Sequence, residues 1–258
     1  MKNVLITICG RAGSKGFKNK NLKTFDGHPL CYYSLAAATL FIEQHPELHV
    51  DLCLNTDSDL LVDVVTKAYP EVAVLARPEE LCGDVVPKMC VYQHSLREME
   101  RRTGLVYDHL IDLDITSPLR RVQDVSGAYA EALAHPECDL VFSVCPSRRT
   151  PYMNMAKLVD GHAERVIQHH FTARQQTPPV FDLNASIYVF TRRFLLENET
   201  GFLWDGVCGM YQMFDTGIID IDSEEDYQLM QAIAHYLYRA DPAFGEVQQR
   251  VRVPEGDA

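Results

Sequence analysis

Between residues 4 and 145, short apolar runs rich in β-branched residues alternate with segments of helical period, and few folds accommodate that rhythm. Strands are expected at 4–9, 49–54, 72–75, 107–113 and 139–145, and helices near 29–43, 58–68, 87–101 and 122–134. Strand–helix–strand units of this length cross over with a right hand. The reading is therefore an α/β fold with a mostly parallel sheet and helices on both faces. Ligands of such sheets bind beyond the carboxyl ends of the strands. Gly10–Gly16, Asn55–Asp59 and Thr116–Arg120 all fall at that edge and are expected to face one crevice.

After residue 146 the rhythm changes. Ser147-Arg148-Arg149-Thr150-Pro151 breaks it, and a polar segment runs on to Pro179. The stretch 147–180 reads as a small excursion from the sheet, suited to dimer contacts and to the side of the site facing a second substrate. Strands at 186–191, 210–214 and 217–221, then a helix over 223–238, complete a domain spanning 1–240. From Asp241 to residue 258 the chain reads as a weakly anchored tail.

The net charge of −12, with no broad basic face to offset it, argues against nucleic acid as the main partner. No apolar stretch reaches 18 residues, so no membrane span is expected. The chain enters a strand at once, with no signal-peptide cleavage pattern, and reads as cytoplasmic. Its eight cysteines form no C-x-x-C pair, which disfavours a zinc ribbon or a thioredoxin-type site.

Against this acidic background, Gly10-Arg11-Ala12-Gly13-Ser14-Lys15-Gly16 stands out, with Lys18, Lys20 and Asn21 close behind. Glycine lets main-chain N–H groups approach a ligand, and the four basic residues Arg11, Lys15, Lys18 and Lys20 put positive charge on the same loop. A polyphosphate accounts for both features; a solvated surface loop is the alternative. The spacing matches neither G-x-G-x-x-G nor a Walker loop.

Ile219-Asp220-Ile221-Asp222 is the best metal candidate. On a strand, Asp220 and Asp222 would share a face, and paired carboxylates suit Mg²⁺. The competing reading makes Asp222 the N-cap of the following helix, with Glu225 closing a capping box. Asp112-Leu113-Asp114 repeats the spacing at the end of strand 107–113, where Asp114, nearer the edge, is the better ligand contact. Asn55–Asp59 reads first as a helix cap. Arg77 follows a short strand, and Arg174 and Asn184 flank a loop with Pro178-Pro179.

Taken in order, Arg11-x-x-Ser14-Lys15-Gly16, Lys20-Asn21-Leu22, Thr56-Asp57, Arg77-Pro78, Thr116-Ser117-Pro118-Leu119-Arg120, Asn184-Ala185-Ser186-Ile187-Tyr188 and Ile219-Asp220-Ile221-Asp222 resemble the acylneuraminate cytidylyltransferases, the CMP-sialic acid synthetases. The resemblance covers residues 1 to about 238. It implies a Rossmann-like nucleotidyltransferase fold, a homodimer joined through the excursion, and Mg²⁺-dependent transfer of CMP from CTP to a nonulosonic acid. By motif, Arg11, Ser14, Lys15, Lys20, Asn21, Arg77, Asp84 and Asp114 would meet the nucleotide. Arg174, Asn184 and Ser117 would meet the sugar acid, and Asp220 and Asp222 the metal. Lys20, Arg11, Asp220 and Asp222 would carry catalysis. Two departures stand out. Asp114-Ile115 replaces the usual glutamine-proline, and Asn184-Ala185 stands where asparagine-glycine is frequent. With the Arg148–Met155 segment, they look closer to the branch handling legionaminic-type acids.

Overall fold

The structure, a computed structural model, describes residues 1–13, 19–83, 85–217 and 219–254. The first strand, β1 (Asn3–Gly10), shows why the apolar run is continuous. Val4, Ile6 and Ile8 point into one core, and Leu5 and Cys9 into a second on the opposite face. A strand covered on both sides has no face to leave polar. After a short hairpin of β2 (Thr24–Phe25) and β3 (His28–Pro29), α1 (Cys31–Gln44) crosses to β4 (His49–Thr56). Then come α2 (Asp59–Ala68), β5 (Ala73–Ala76), α3 (Lys88–Thr103), β6 (His109–Leu113), α4 (Val122–Ala134) and β7 (Leu140–Pro146). These match the expected alternation to within a few residues.

The second half departs from it in several places. β8 (Ala156–Val159) and β9 (His162–Arg165) form a separate hairpin within the excursion. Its two-residue turn, Asp160-Gly161, has φ of +50° and +81°, the double left-handed turn that matches strand twist. β10 (Phe181–Thr191) is longer than expected and runs antiparallel between β6 and β7. Its register shifts between Leu183 and Tyr188, where Ala185 takes φ +52°. α5 (Arg192–Glu197) and the edge strand β11 (Cys208–Gln212) follow.

Of the expected strand at 217–221, the described residues form none: Ile219–Asp222 is irregular, tied to the sheet edge where the Ile221 N–H donates to the Thr116 carbonyl at 3.2 Å. α6 (Glu224–Ala240) is capped by Ser223, whose hydroxyl accepts from the Asp226 N–H, so Asp222 is not the N-cap. Nor is the described part of the segment after Asp241, residues 242–254, a loose tail. Asp241 caps α7 (Pro242–Arg250), with proline in the first turn, and Phe244 and Val247 are buried where α7 packs on α1 and α6.

The main sheet has the order β11-β7-β10-β6-β1-β4-β5. Every neighbour pair is parallel except the two made by β10. No helix among the described residues is long and apolar enough to cross a membrane.

Candidate active site

The carboxyl edge of this sheet gathers the chemistry. β1 ends at Gly10, where a side chain would come within 2.4 Å of Leu61 and 3.1 Å of the Asn21 amide. Gly10 is thus a close-packing residue, whereas Gly13, at φ +74°, supplies the left-handed turn. The Ala12 N–H donates to Asp57 Oδ1 at 2.8 Å, and the Asn21 amide to the Arg11 carbonyl at 3.5 Å. Arg11, Gly13, Asn19, Lys20, Asn21 and Ser58 line a cleft of about 110 Å³. Ser14, Lys15, Gly16 and Lys18, expected here, lie outside the described residues, as does Asp84.

From the other end of the chain comes the acidic segment. Lys20 Nζ lies 2.8 Å from Asp222 Oδ1 and 3.2 Å from the Ile221 carbonyl. The cationic loop and the late aspartates therefore meet, but not as two carboxylates side by side on a strand. Asp222 is engaged by Lys20. Asp220 turns inward instead, with Oδ1 buried and lacking a hydrogen-bond partner among the described residues. Burial, reinforced by the nearby Asp114 carboxylate, pushes the Asp220 carboxyl above the ordinary aspartate range. An orphaned, buried carboxylate oxygen beside further oxygen donors fits a hard cation such as Mg²⁺.

Beneath this segment, at the end of β6, lies a charged cluster. Lys88 Nζ, on the first turn of α3, sits 2.9 Å from Asp112 Oδ2 and 2.6 Å from Asp114 Oδ2. The Tyr92 hydroxyl donates to Asp112 Oδ2 at 2.7 Å. Asp114 Oδ1 accepts from the Thr116 N–H at 3.0 Å and from its hydroxyl at 2.8 Å. Burial works against the Asp114 anion, yet Lys88 and Thr116 overcome it and hold this carboxyl well below the usual range. Burial likewise opposes the Lys88 ammonium, and the two aspartates reverse that and hold it well above the lysine range. Asp114 is therefore fixed as an anion next to Asp220.

Of the three residues expected to meet the sugar acid, two are buried. Ser117 is buried, and its carbonyl accepts from Arg120 Nη2 at 2.8 Å. Arg120, 1% exposed, also donates to Ser186, Ser34 and the Asp114 carbonyl, locking the 114–120 loop to β10 and α1. Burial lowers its pKa to about 10, which leaves it charged at neutral pH. Asn184 is 1% exposed; its Oδ1 accepts from Ser143 Oγ at 2.6 Å, and its amide faces Cys145 and Met213. It pins the β10 irregularity rather than facing the cleft. Arg174 is exposed, with Nη2 donating to the Ser147 carbonyl at 2.9 Å.

Arg77 leaves β5 at the same edge, held by Asn55 through Nε to Oδ1 at 3.0 Å and Nη2 to the main-chain carbonyl at 2.9 Å. Asn55 thus does not cap α2; Ser58 does, accepting from the Leu61 N–H. Sequence reasoning put Asn55 and Arg120 at this edge without these structural roles and missed Lys88. Lys88 carried no local signal, because its partners lie 24 and 26 residues away.

The geometry can be set beside known proteins. A family profile described as Cytidylyltransferase matches residues 5–86. Post-translational flagellin modification protein B of Campylobacter coli is 33% identical over 231 residues, covering 90% of this chain and 94% of that protein. CMP-N,N'-diacetyllegionaminic acid synthase of Campylobacter jejuni subsp. jejuni serotype O:2 is 34% identical over 231 residues, with the same 90% and 94% coverage. Among solved structures, CMP:2-keto-3-deoxy-manno-octonic acid synthetase complexed with CTP superposes with a TM-score of 0.65 at 15% identity, covering 92% of this chain and 99% of that one. At that identity the likeness is one of fold.

Proposed function

Because the chain belongs to the acylneuraminate cytidylyltransferase family of nucleotidyltransferases, we propose that it transfers CMP from CTP to the anomeric hydroxyl of a nine-carbon 2-keto sugar acid of the sialic or legionaminic type. The hydroxyl oxygen bonds to the α-phosphorus, the bond to the β-phosphate oxygen breaks, and pyrophosphate leaves. The hydroxyl proton passes to water, since no histidine falls in the site motifs. Such a transfer depends on alignment and charge stabilisation rather than on a covalent enzyme intermediate.

The observation that carries this reading is the 2.8 Å contact between Lys20 and Asp222, which brings the acidic segment against the basic loop. Lys20, Arg11 and Asn21, with Ser14 and Lys15, hold the triphosphate and offset charge building on pyrophosphate. Lys20 exchanges Asp222 for phosphate oxygens on CTP binding, which frees the Asp222 carboxylate. Asp220 and Asp222 would then hold Mg²⁺, which supplies neutralisation of the α-phosphate and polarisation of the acceptor hydroxyl. Arg77 with Asp84 meets the nucleotide, Arg174 forks onto the sugar carboxylate, and Asp114, Ser117 and Asn184 act from behind the site.

The 34% identity to a CMP-N,N'-diacetyllegionaminic acid synthase favours a legionaminic-type acceptor over sialic acid. The β8–β9 hairpin stands apart from the main sheet with Leu158 78% exposed, which supports its use as a dimer arm; sedimentation equilibrium tests it. The reaction belongs in the cytoplasm, where CTP is made. Pyrophosphate release from CTP should require both Mg²⁺ and a nonulosonic acid, fastest with legionaminic-type acids. Asp220→Asn should lower turnover by ~10²–10³ with the fold intact. Near-wild-type turnover in that variant would remove Asp220 from the mechanism.

A further inference from the structure

Arg77 is an arginine on a loop, yet its guanidinium is not free to roam. Two of its three nitrogens are tied to Asn55, at 3.0 and 2.9 Å, and the third, Nη1, has no protein partner among the described residues. Asn55 itself is fully buried at the end of β4. Its amide donates to Ser95 Oγ at 2.9 Å and meets His94 Nδ1 at 3.0 Å, both on α3.

The direction of every bond in this chain follows from elementary donor and acceptor chemistry. Arginine only donates, so the Asn55 oxygen faces Arg77. Ser95 spends its proton on the Val91 carbonyl at 2.9 Å, so it can only accept from Asn55. The Asn55 amide orientation is thus fixed from both sides. Its remaining N–H points at His94 Nδ1, which must be an unprotonated acceptor. His94 is accordingly the neutral tautomer with its proton on Nε2.

We infer that Asn55 is a positioning residue for nucleotide binding, which fixes the Arg77 guanidinium at the carboxyl edge of the sheet and is itself kept in register by neutral His94. The inference rests on the reading of Arg77 as a nucleotide contact. It assigns a role to a buried amide paired in register with Cys9, at the root of the phosphate loop. It also makes the geometry sensitive to acid. A proton on His94 Nδ1 would face the Asn55 N–H, donor against donor, and the amide would have to turn or withdraw, releasing Arg77 Nε.

Burial lowers the His94 pKa below its ordinary value, so the neutral form prevails at neutral pH. The charged groups facing His94 are Glu98 and Arg102 from α3, Glu80 from the short turn at Glu79–Leu81, and Arg77 itself. The two carboxylates favour protonation, and the two arginines oppose it.

Steady-state kinetics of the full chain, with CTP varied at saturating acceptor between about pH 8 and about pH 6, test this. Asn55→Ala should raise KM for CTP about tenfold with kcat little changed, the loss expected of one charge-assisted hydrogen bond. His94→Asn keeps a non-titrating acceptor near the Nδ1 position. It should match wild type at the alkaline end and lose the part of the acid rise in KM that belongs to His94. Arg77→Ala is the control. If it leaves KM for CTP unchanged, the nucleotide role of Arg77 falls. If it raises KM while Asn55→Ala does not, the positioning inference falls and the nucleotide role stands. Should Asn55→Ala fail to fold, His94→Asn decides, because an acid profile identical to wild type overturns the inference.

Discussion

Two lysine–aspartate contacts lie at the same sheet edge, and they are built for different tasks. Lys20–Asp222 lies at the surface beside the cleft-lining Lys20 loop, with Asp222 72% exposed. Lys88 with Asp112 and Asp114 lies below it, with Asp112 wholly buried. An exposed pair is screened and contributes little to stability, so its partners can be exchanged for a ligand at small cost. A buried pair cannot be opened cheaply, because each carboxylate left alone would carry its full desolvation penalty. The first is suited to handing a lysine to phosphate. The second is suited to keeping Asp114 in one place and one charge state while substrates come and go.

The comparison breaks most visibly if the exposed pair proves structural. Lys20→Met should lower turnover by ~10²–10³, the scale of one lost contact to developing charge, while the urea unfolding midpoint stays close to wild type. A large loss of stability with unchanged turnover would reverse the assignment. Lys88→Met should do the opposite in its first effect. It should destabilise the protein by about 2–4 kcal/mol, somewhat under a fully buried pair because the ammonium retains contact with solvent. Chemical denaturation reads this directly.

The pH dependence of that destabilisation sharpens the contrast. The Asp114 carboxyl is depressed in the folded protein, so its contribution is present above the unfolded value of about 3.9 and is lost as pH falls below it. The Lys88 ammonium is raised, so its contribution is present below about 10.4 and is lost as pH climbs through the folded value. Asp112, pushed up by burial, works in the opposite sense to Asp114 and blunts the acid side. The stability gap between wild type and Lys88→Met should therefore be widest between about pH 4 and pH 10 and narrow outside that window. A gap independent of pH would mean that Lys88 acts through packing alone. The smallest effect belongs to Asp222→Asn, whose stability should change by less than about 1 kcal/mol and respond weakly to added salt.

Much of this arrangement can be read in the primary structure. The helix over Val122–Ala134 and the strands ending at Gly10, Thr56 and Leu113 lie where hydrophobic period places them, because burial on two faces demands continuous apolar runs. The crossover rule then puts the three loops at one edge. Less legible was the stretch after residue 217, where alternating Ile and Asp imitate a strand. There a single main-chain bond to Thr116 and the Lys20 contact replace a ladder. The loose tail was misjudged for a related reason: Phe244 and Val247 are isolated apolar residues whose burial depends on α1 and α6.

By itself, then, the order of residues determined the alternation of elements, the edge at which function must sit, and the cationic character of the first loop. These are local properties of period, glycine and charge. Only the tertiary structure decided which carboxylate meets which cation: Lys20 with Asp222 across 202 positions, Lys88 with Asp112 and Asp114, and Arg77 with Asn55. Pairings of that kind depend on where separate strands end in space and on which charges are denied water, and no local pattern carries that information.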